Sequence, residues 1–225
     1  LLPQQRGAYR KRQNYDGCHQ SILRETCMRI VLVAGSPGSG KTTLISKIAS
    51  PDIGVIVNNL ESVNLIPKDV RRVYFPLRSP CARPRQFLHW IEKVHKEWGV
   101  DTLLAEPPGM CTETSSRILT PVIALGNDRF EIGPLITVVR GNLLDKNITS
   151  DTSENLRIRQ QICESDIVVI SAAENIDRGR ASDIVRRLNP DAEILFFSSE
   201  TEESIEDIRA AIFSERVLTR ALDLI

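Results

Sequence analysis

Short apolar runs rich in Val, Ile and Leu recur from Met28 onward, at residues 30–34, 53–58, 72–75, 101–105, 135–139, 166–171 and 193–197. Their apolar positions are largely consecutive, the pattern of strands buried on both faces of a parallel sheet. Between them lie stretches of helical period at 41–49, 84–98, 153–164, 180–188 and 203–214. The fourth of these runs into Asn189-Pro190, where a proline stops the helix because it has no N–H to offer. This alternation predicts an α/β fold: a mostly parallel sheet of about seven strands with helices on both faces. Trp90 and Trp98, eight apart on one helical stretch, are expected at its core and rim. Residues 112–134 fit neither pattern and are expected to form a long insertion outside the core.

Ahead of Met28 the periodicity is absent. Arg6, Arg10, Lys11, Arg12 and Arg24 stand there against Asp16 and Glu25. Residues 1–27 are therefore expected to be a mobile basic tail, and residues 28–225 a single domain. The 29 basic and 29 acidic residues give a formal net charge of zero, which removes the electrostatic argument for nucleic acid or a membrane surface as partner. No run approaches the roughly 18 consecutive apolar residues of a spanning helix, so a cytoplasmic location is expected. Five cysteines at irregular spacing, Cys18, Cys27, Cys81, Cys111 and Cys163, point to reduced thiols rather than a disulfide framework.

The run at 30–34 is followed by Gly35-Ser36-Pro37-Gly38-Ser39-Gly40-Lys41-Thr42-Thr43 and then by a helical stretch. This is G-x-x-x-x-G-K-[ST] in the strand, loop and helix setting of a P-loop. Glycines there let successive N–H groups converge on phosphate oxygens, and the helix N-terminus adds its dipole. Lys41 is the expected partner of the β- and γ-phosphates and Thr42 of a bridging Mg²⁺, with Thr43 towards the α-phosphate.

The strand at 101–105 ends in Glu106-Pro107-Pro108-Gly109. A carboxylate at that point can hold a Mg²⁺-bound water, and the Gly109 N–H can meet the γ-phosphate, so Lys41, Glu106 and Gly109 are the candidate catalytic set. With Glu rather than Asp in E-x-x-G, the sequence resembles the SIMIBI-class metallochaperone GTPases, which include the urease accessory, hydrogenase accessory and CobW-type proteins. The motif order matches over roughly residues 28–212, tightly only at the P-loop and E-x-x-G.

The resemblance implies an NTPase, GTP-using, slow without a partner, that couples Mg²⁺-dependent hydrolysis to delivery of nickel, cobalt, zinc or a metallocofactor in enzyme maturation. It also implies a nucleotide-dependent homodimer and a client metalloenzyme or accessory protein. Val55-Ile56-Val57-Asn58-Asn59-Leu60-Glu61 lies where the family has its switch segment, with Asn59 in place of an acid and Glu61 as the nearest substitute; an ordinary strand-to-loop exit is the equal alternative. Ser79-Pro80-Cys81-Ala82-Arg83 lies where the family binds metal through Cys-Pro-His or Cys-x-Cys-Cys. Here Cys81 alone remains there, with Cys111 just beyond Gly109 as a second soft ligand; the alternative for both cysteines is a small buried hydrophobe. Arg83, Arg140 and Arg178 are candidates for an arginine finger.

Cys18, His19 and Cys27 form a further soft cluster, whose spacing matches no standard zinc pattern. His89 and His95 fall on a helical stretch and are expected at its surface or partly packed.

The family's Asn-Lys-x-Asp base motif is replaced by Ser171-Ala172-Ala173-Glu174. Glu174 keeps a carboxylate where guanine would be read, Asn175-Ile176-Asp177 offers a shifted register, and ATP stays open beside GTP. Two other functions fit a P-loop: a small-molecule kinase, which would need residues 112–134 as an acceptor lid, and a regulatory module that binds nucleotide without turnover.

Overall fold

A computed structural model of the protein describes residues 27–76, 79–126, 129–144, 146–200 and 204–213. The tail expected at 1–27 lies outside these residues except for Cys27, and with it Cys18 and His19.

Seven strands form one sheet: β1 (Met28–Ala34), β2 (Ile53–Val57), β3 (Arg71–Tyr74), β4 (Thr102–Ala105), β5 (Phe130–Arg140), β6 (Ile167–Ser171) and β7 (Glu193–Phe197). Their order is β3-β2-β4-β1-β5-β6-β7 and every pairing is parallel. Among the described residues seven α-helices accompany them: α1 (Lys41–Ile48), α2 (Leu60–Val63), α3 (Pro84–Trp98), α4 (Thr120–Gly126), α5 (Ser153–Glu164), α6 (Arg178–Leu188) and α7 (Ile205–Phe213). One face of the sheet packs Val31, Val33, Val55 and Val138 against Leu44, Ile45 and Ile48 of α1 and Ile208 and Ile212 of α7. The other packs Ile30 and Leu32 against α3 and α4, and Val139, Val168 and Ile170 against α5 and α6. Successive residues of β1 thus serve opposite faces, which is why its apolar run is unbroken.

Each fully buried aliphatic side chain of α1 contributes roughly 1.5–3 kcal/mol, so three of them hold the start of that helix firmly against the sheet. That start is the phosphate end. β4 neighbours β1 with Leu32 level with Ala105, so the loops leaving these two strands emerge side by side. Ligands in open α/β sheets bind in such crevices beyond the strand ends.

Two expectations are corrected. Residues 112–134 do not form an insertion outside the core. They make a π-helical turn (Ser115–Leu119), then α4 and the first half of β5. Ile118, Leu119 and Val122 are buried there against the cluster of α3, so this stretch is part of the core. Gly133-Pro134 hid the strand: the β1–β5 register slips between Ile30 and Leu32, and this bulge absorbs the missing proline N–H. α2 was not foreseen either, since a helix of four residues carries too little periodicity to read.

Trp98 covers Gly54, where a Cβ would stand 3.0 Å from its ring, and Trp90 is half-buried on the same cluster. His89 is exposed, whereas His95 is half-buried edge-on to Phe130.

Candidate functional site

The phosphate loop joins β1 to α1. Gly40 takes φ 95°, a left-handed conformation that ordinary side chains resist, and it precedes the first helical residue, Lys41. Gly35 is required for another reason: a Cβ there would stand 2.2 Å from the Val138 carbonyl oxygen of β5. Lys41 is 6% exposed and donates from Nζ to the Ser36 carbonyl at 2.9 Å, so its ammonium spans the loop. Burial lowers its pKa and Glu106 opposes the change. Pro37 and Gly38 are exposed at the lip of the loop, while Ser36 and Ser39 are buried. Ser39 Oγ is buried with no hydrogen-bond partner among the described residues. Thr43 is half-buried in the first turn of α1, and its carbonyl accepts from Ser46 Oγ at 2.7 Å.

Glu106 leaves β4 beside this loop, 9% exposed, with its N–H bonded to the Ile56 carbonyl at 2.8 Å. Thr42 donates its hydroxyl to Glu106 Oε2 at 2.8 Å, and Ser62 Oγ lies 3.3 Å from that hydroxyl. Burial raises the Glu106 pKa, with the Thr42 hydrogen bond and the Lys41 charge acting against it. The carboxylate and the two hydroxyls form a set of oxygen donors, the type a hard divalent cation such as Mg²⁺ takes. Glu61 is not part of it. The side chain of Asn59 accepts from the Glu61 N–H and caps α2, which leaves Glu61 exposed and turns Ser62 towards Thr42.

Gly109 lies against the phosphate loop, where a Cβ would stand 2.6 Å from the Pro37 nitrogen. Two residues later Cys111 meets Cys81: their Sγ atoms are 2.9 Å apart, and Ser79 Oγ is 2.7 Å from Cys81 Sγ and 3.4 Å from Cys111 Sγ. Burial, then the Cys81 contact, push the Cys111 thiol up to about 12. No group of three or more His, Cys, Asp or Glu positioned to hold a metal occurs among the described residues. Arg83 is exposed beside it at the start of α3, and Arg140 is exposed at the end of β5. Arg178 lies over the Phe196 ring at 5.1 Å.

At the base end, Ser171 Oγ donates to the Ser39 carbonyl at 2.6 Å, tying the end of β6 to the phosphate loop. Glu174 is exposed in a single 3-10 turn (Ala173–Asn175). In the shifted register, Asp177 caps α6 by accepting from the Arg180 N–H through Oδ1, and Ile176 packs over Gly141.

Three further residues escaped the sequence. Gln161 of α5 receives the Ser36 hydroxyl at 3.3 Å and donates to the carbonyls of Cys111 at 2.7 Å and Gly109 at 3.3 Å. Glu164 accepts the N–H groups of Glu113 and Thr114, each at 2.6 Å, with Glu113 at a positive φ of 56°. Ser62 is the third. Only Gln161 left a trace, as a polar residue on the buried face of α5 between Ile158 and Ile162.

The chain's residues 29–196 match the sequence profile of the CobW/HypB/UreG nucleotide-binding domain. In structure it is similar to HypB from Helicobacter pylori in complex with nickel, at 19% identity and a TM-score of 0.59, over 82% of this chain and 85% of that one. The hydrogenase maturation factor HypB from Archaeoglobus fulgidus gives 17% and 0.59, over 83% and 89%. The Zn(II)-bound YjiA GTPase from E. coli gives 16% and 0.56, over 74% of this chain and 56% of that one. No curated protein is a significant match in sequence.

Proposed function

Because the chain belongs to the CobW/HypB/UreG nucleotide-binding domain family, we propose that it is a Mg²⁺-dependent GTPase whose nucleotide state governs a transition metal held by Cys81 and Cys111 for delivery to a client metalloenzyme. The observation that carries this reading is the meeting, at 2.9 Å, of Cys81 from the segment between β3 and α3 with Cys111 from the loop that leaves Glu106. Two thiols suit soft or borderline ions such as nickel and zinc, the ions present in the HypB and YjiA structures. A pair is half of a tetrahedral site, and a nucleotide-dependent dimer that faces two chains together would complete it.

In hydrolysis, water attacks the γ-phosphorus, its proton passes to phosphate or solvent, and the bridging oxygen leaves with the electron pair of its bond to phosphorus. When bound, Mg²⁺ neutralises the charge that develops on the β- and γ-phosphates. Thr42 and Glu106 are the residues to hold it, directly or through water. Lys41 balances charge on the phosphate oxygens, and the loop N–H groups from Gly35 to Thr43 orient them. Gly109, free of a side chain, brings its N–H to the γ-phosphate. Turnover is expected to be slow until a partner docks. Guanine is the expected base, with Glu174 its expected reader.

The test is titration of GDP, ADP and their triphosphate analogues with Mg²⁺, with phosphate release and oligomeric mass followed with and without Ni²⁺ or Zn²⁺. Expected are guanine preference, turnover that Lys41→Ala removes, and one metal per two chains that Cys81→Ser removes. Tight nucleotide binding with no phosphate release under any metal would leave a regulatory module in its place.

A further inference from the structure

Gln161 is 2% exposed, and its amide joins two segments that are distant in sequence. Its Oε1 accepts from Ser36 in the phosphate loop at 3.3 Å. Its Nε2 donates to the carbonyls of Cys111 at 2.7 Å and Gly109 at 3.3 Å, in the loop after β4 that brings Cys111 to Cys81. One planar amide therefore has both its acceptor and its donors engaged, and moving either loop alone breaks a buried hydrogen bond.

The base on which Gln161 stands is itself pinned. Thr137 Oγ1 of β5 and Ser165 Oγ both donate to the Gln161 carbonyl, at 3.1 and 2.5 Å. Asn189 Nδ2 holds the next turn of α5 through the carbonyls of Ile162 and Ser165, each at 2.8 Å. The two loops also touch directly, with no room for a Cβ on Gly109 beside Pro37. A displacement of Gly109 towards a γ-phosphate is thus shared between a fixed amide and the Cys111 carbonyl that the same amide holds.

We infer that Gln161 is a positioning residue that couples the nucleotide state of the phosphate loop to the geometry of the Cys81–Cys111 pair. The inference rests on the function proposed above. Hydrogen bonding alone would make Gln161 a structural brace; the coupling role predicts a nucleotide-dependent signal at the thiols that a brace would not control.

The experiment reads iodoacetamide alkylation rates of Cys81 and Cys111, resolved by peptide mass spectrometry. The full chain is loaded with Mg²⁺ and either GDP or a non-hydrolysable GTP analogue. In the wild type the rates are expected to differ between the two nucleotides by about 5-fold or more, the lower end of ordinary coupling. Gln161→Met keeps the volume and removes the amide; it is expected to bind both nucleotides but bring the ratio close to unity.

Gln161→Glu keeps the acceptor for Ser36 and sets a carboxylate against two carbonyl oxygens, and the same collapse is expected. It serves as the measure should the methionine variant not fold. A wild-type ratio that persists in both variants overturns the role of Gln161 and leaves the proposed function standing. A wild type whose thiols react alike under both nucleotides overturns the nucleotide–thiol coupling itself.

Discussion

Ser171 Oγ donates a 2.6 Å hydrogen bond to the carbonyl of Ser39, joining the end of β6 to the phosphate loop across 132 positions of sequence. The hydroxyl braces the glycine-rich loop between β1 and α1. Ser171→Ala leaves a buried carbonyl short of a donor, at a cost of about 1 kcal/mol. GDP and ADP affinities should therefore fall together, each by roughly 5-fold, when measured by titration calorimetry. A fall confined to one base would place Ser171 in base recognition instead.

Thr42 and Glu106, in contact at 2.8 Å, are the proposed holders of Mg²⁺. Glu106→Gln keeps size and hydrogen bonding but removes the charge. Turnover should drop by about 100-fold or more, on the scale of losing one preorganised electrostatic group. Nucleotide binding without Mg²⁺ should be retained, because Lys41 no longer shares its pocket with an acid. Unchanged phosphate release would remove Glu106 from the machinery.

Gly109→Ala places a methyl group 2.6 Å from the Pro37 nitrogen, where backbone rather than a flexible side chain must yield. A loss of about 1–3 kcal/mol in unfolding free energy is expected, as for other overpacked sites. Affinity for a triphosphate analogue should fall more than affinity for the diphosphate, since only the former needs the Gly109 N–H. Equal losses would deny Gly109 a role at the γ-phosphate.

Burial pushes the Glu164 carboxyl above its ordinary value of 4.5, while N–H groups of Glu113, Thr114 and Ser115 pull it part of the way back. The folded chain then keeps this proton to a higher pH than the unfolded chain does. Stability from this residue is fully present below about pH 4.5 and declines as pH rises to the folded value. Glu164→Gln has no proton to lose and should lack that part of the slope. Urea midpoints of both proteins between about pH 4 and 8 test this, and parallel curves would sink it.

The sequence by itself determined the strands, most of the helices and the phosphate loop. Each of these depends on residues close together in the chain: consecutive apolar positions for β1 and β6, helical spacing for α3 and α5, and the glycines and Lys41 between β1 and α1. Where local signals conflicted, the reading failed. Pro121 and Pro134 broke the apparent periodicity of a segment whose Ile118, Leu119 and Val122 are nonetheless buried, because a π-turn and a bulge accommodate what a regular element could not.

Only the tertiary structure decided which distant groups meet. The strand order sets the loop after β4 beside the phosphate loop, and it brings Cys81 to Cys111 and Ser171 to Ser39. A cap on α2 decided that Ser62, not Glu61, faces Thr42. Gln161 reaches both loops for the same reason: its bonds span 50 positions or more, and a hydrogen bond between groups so far apart has no periodicity to announce it.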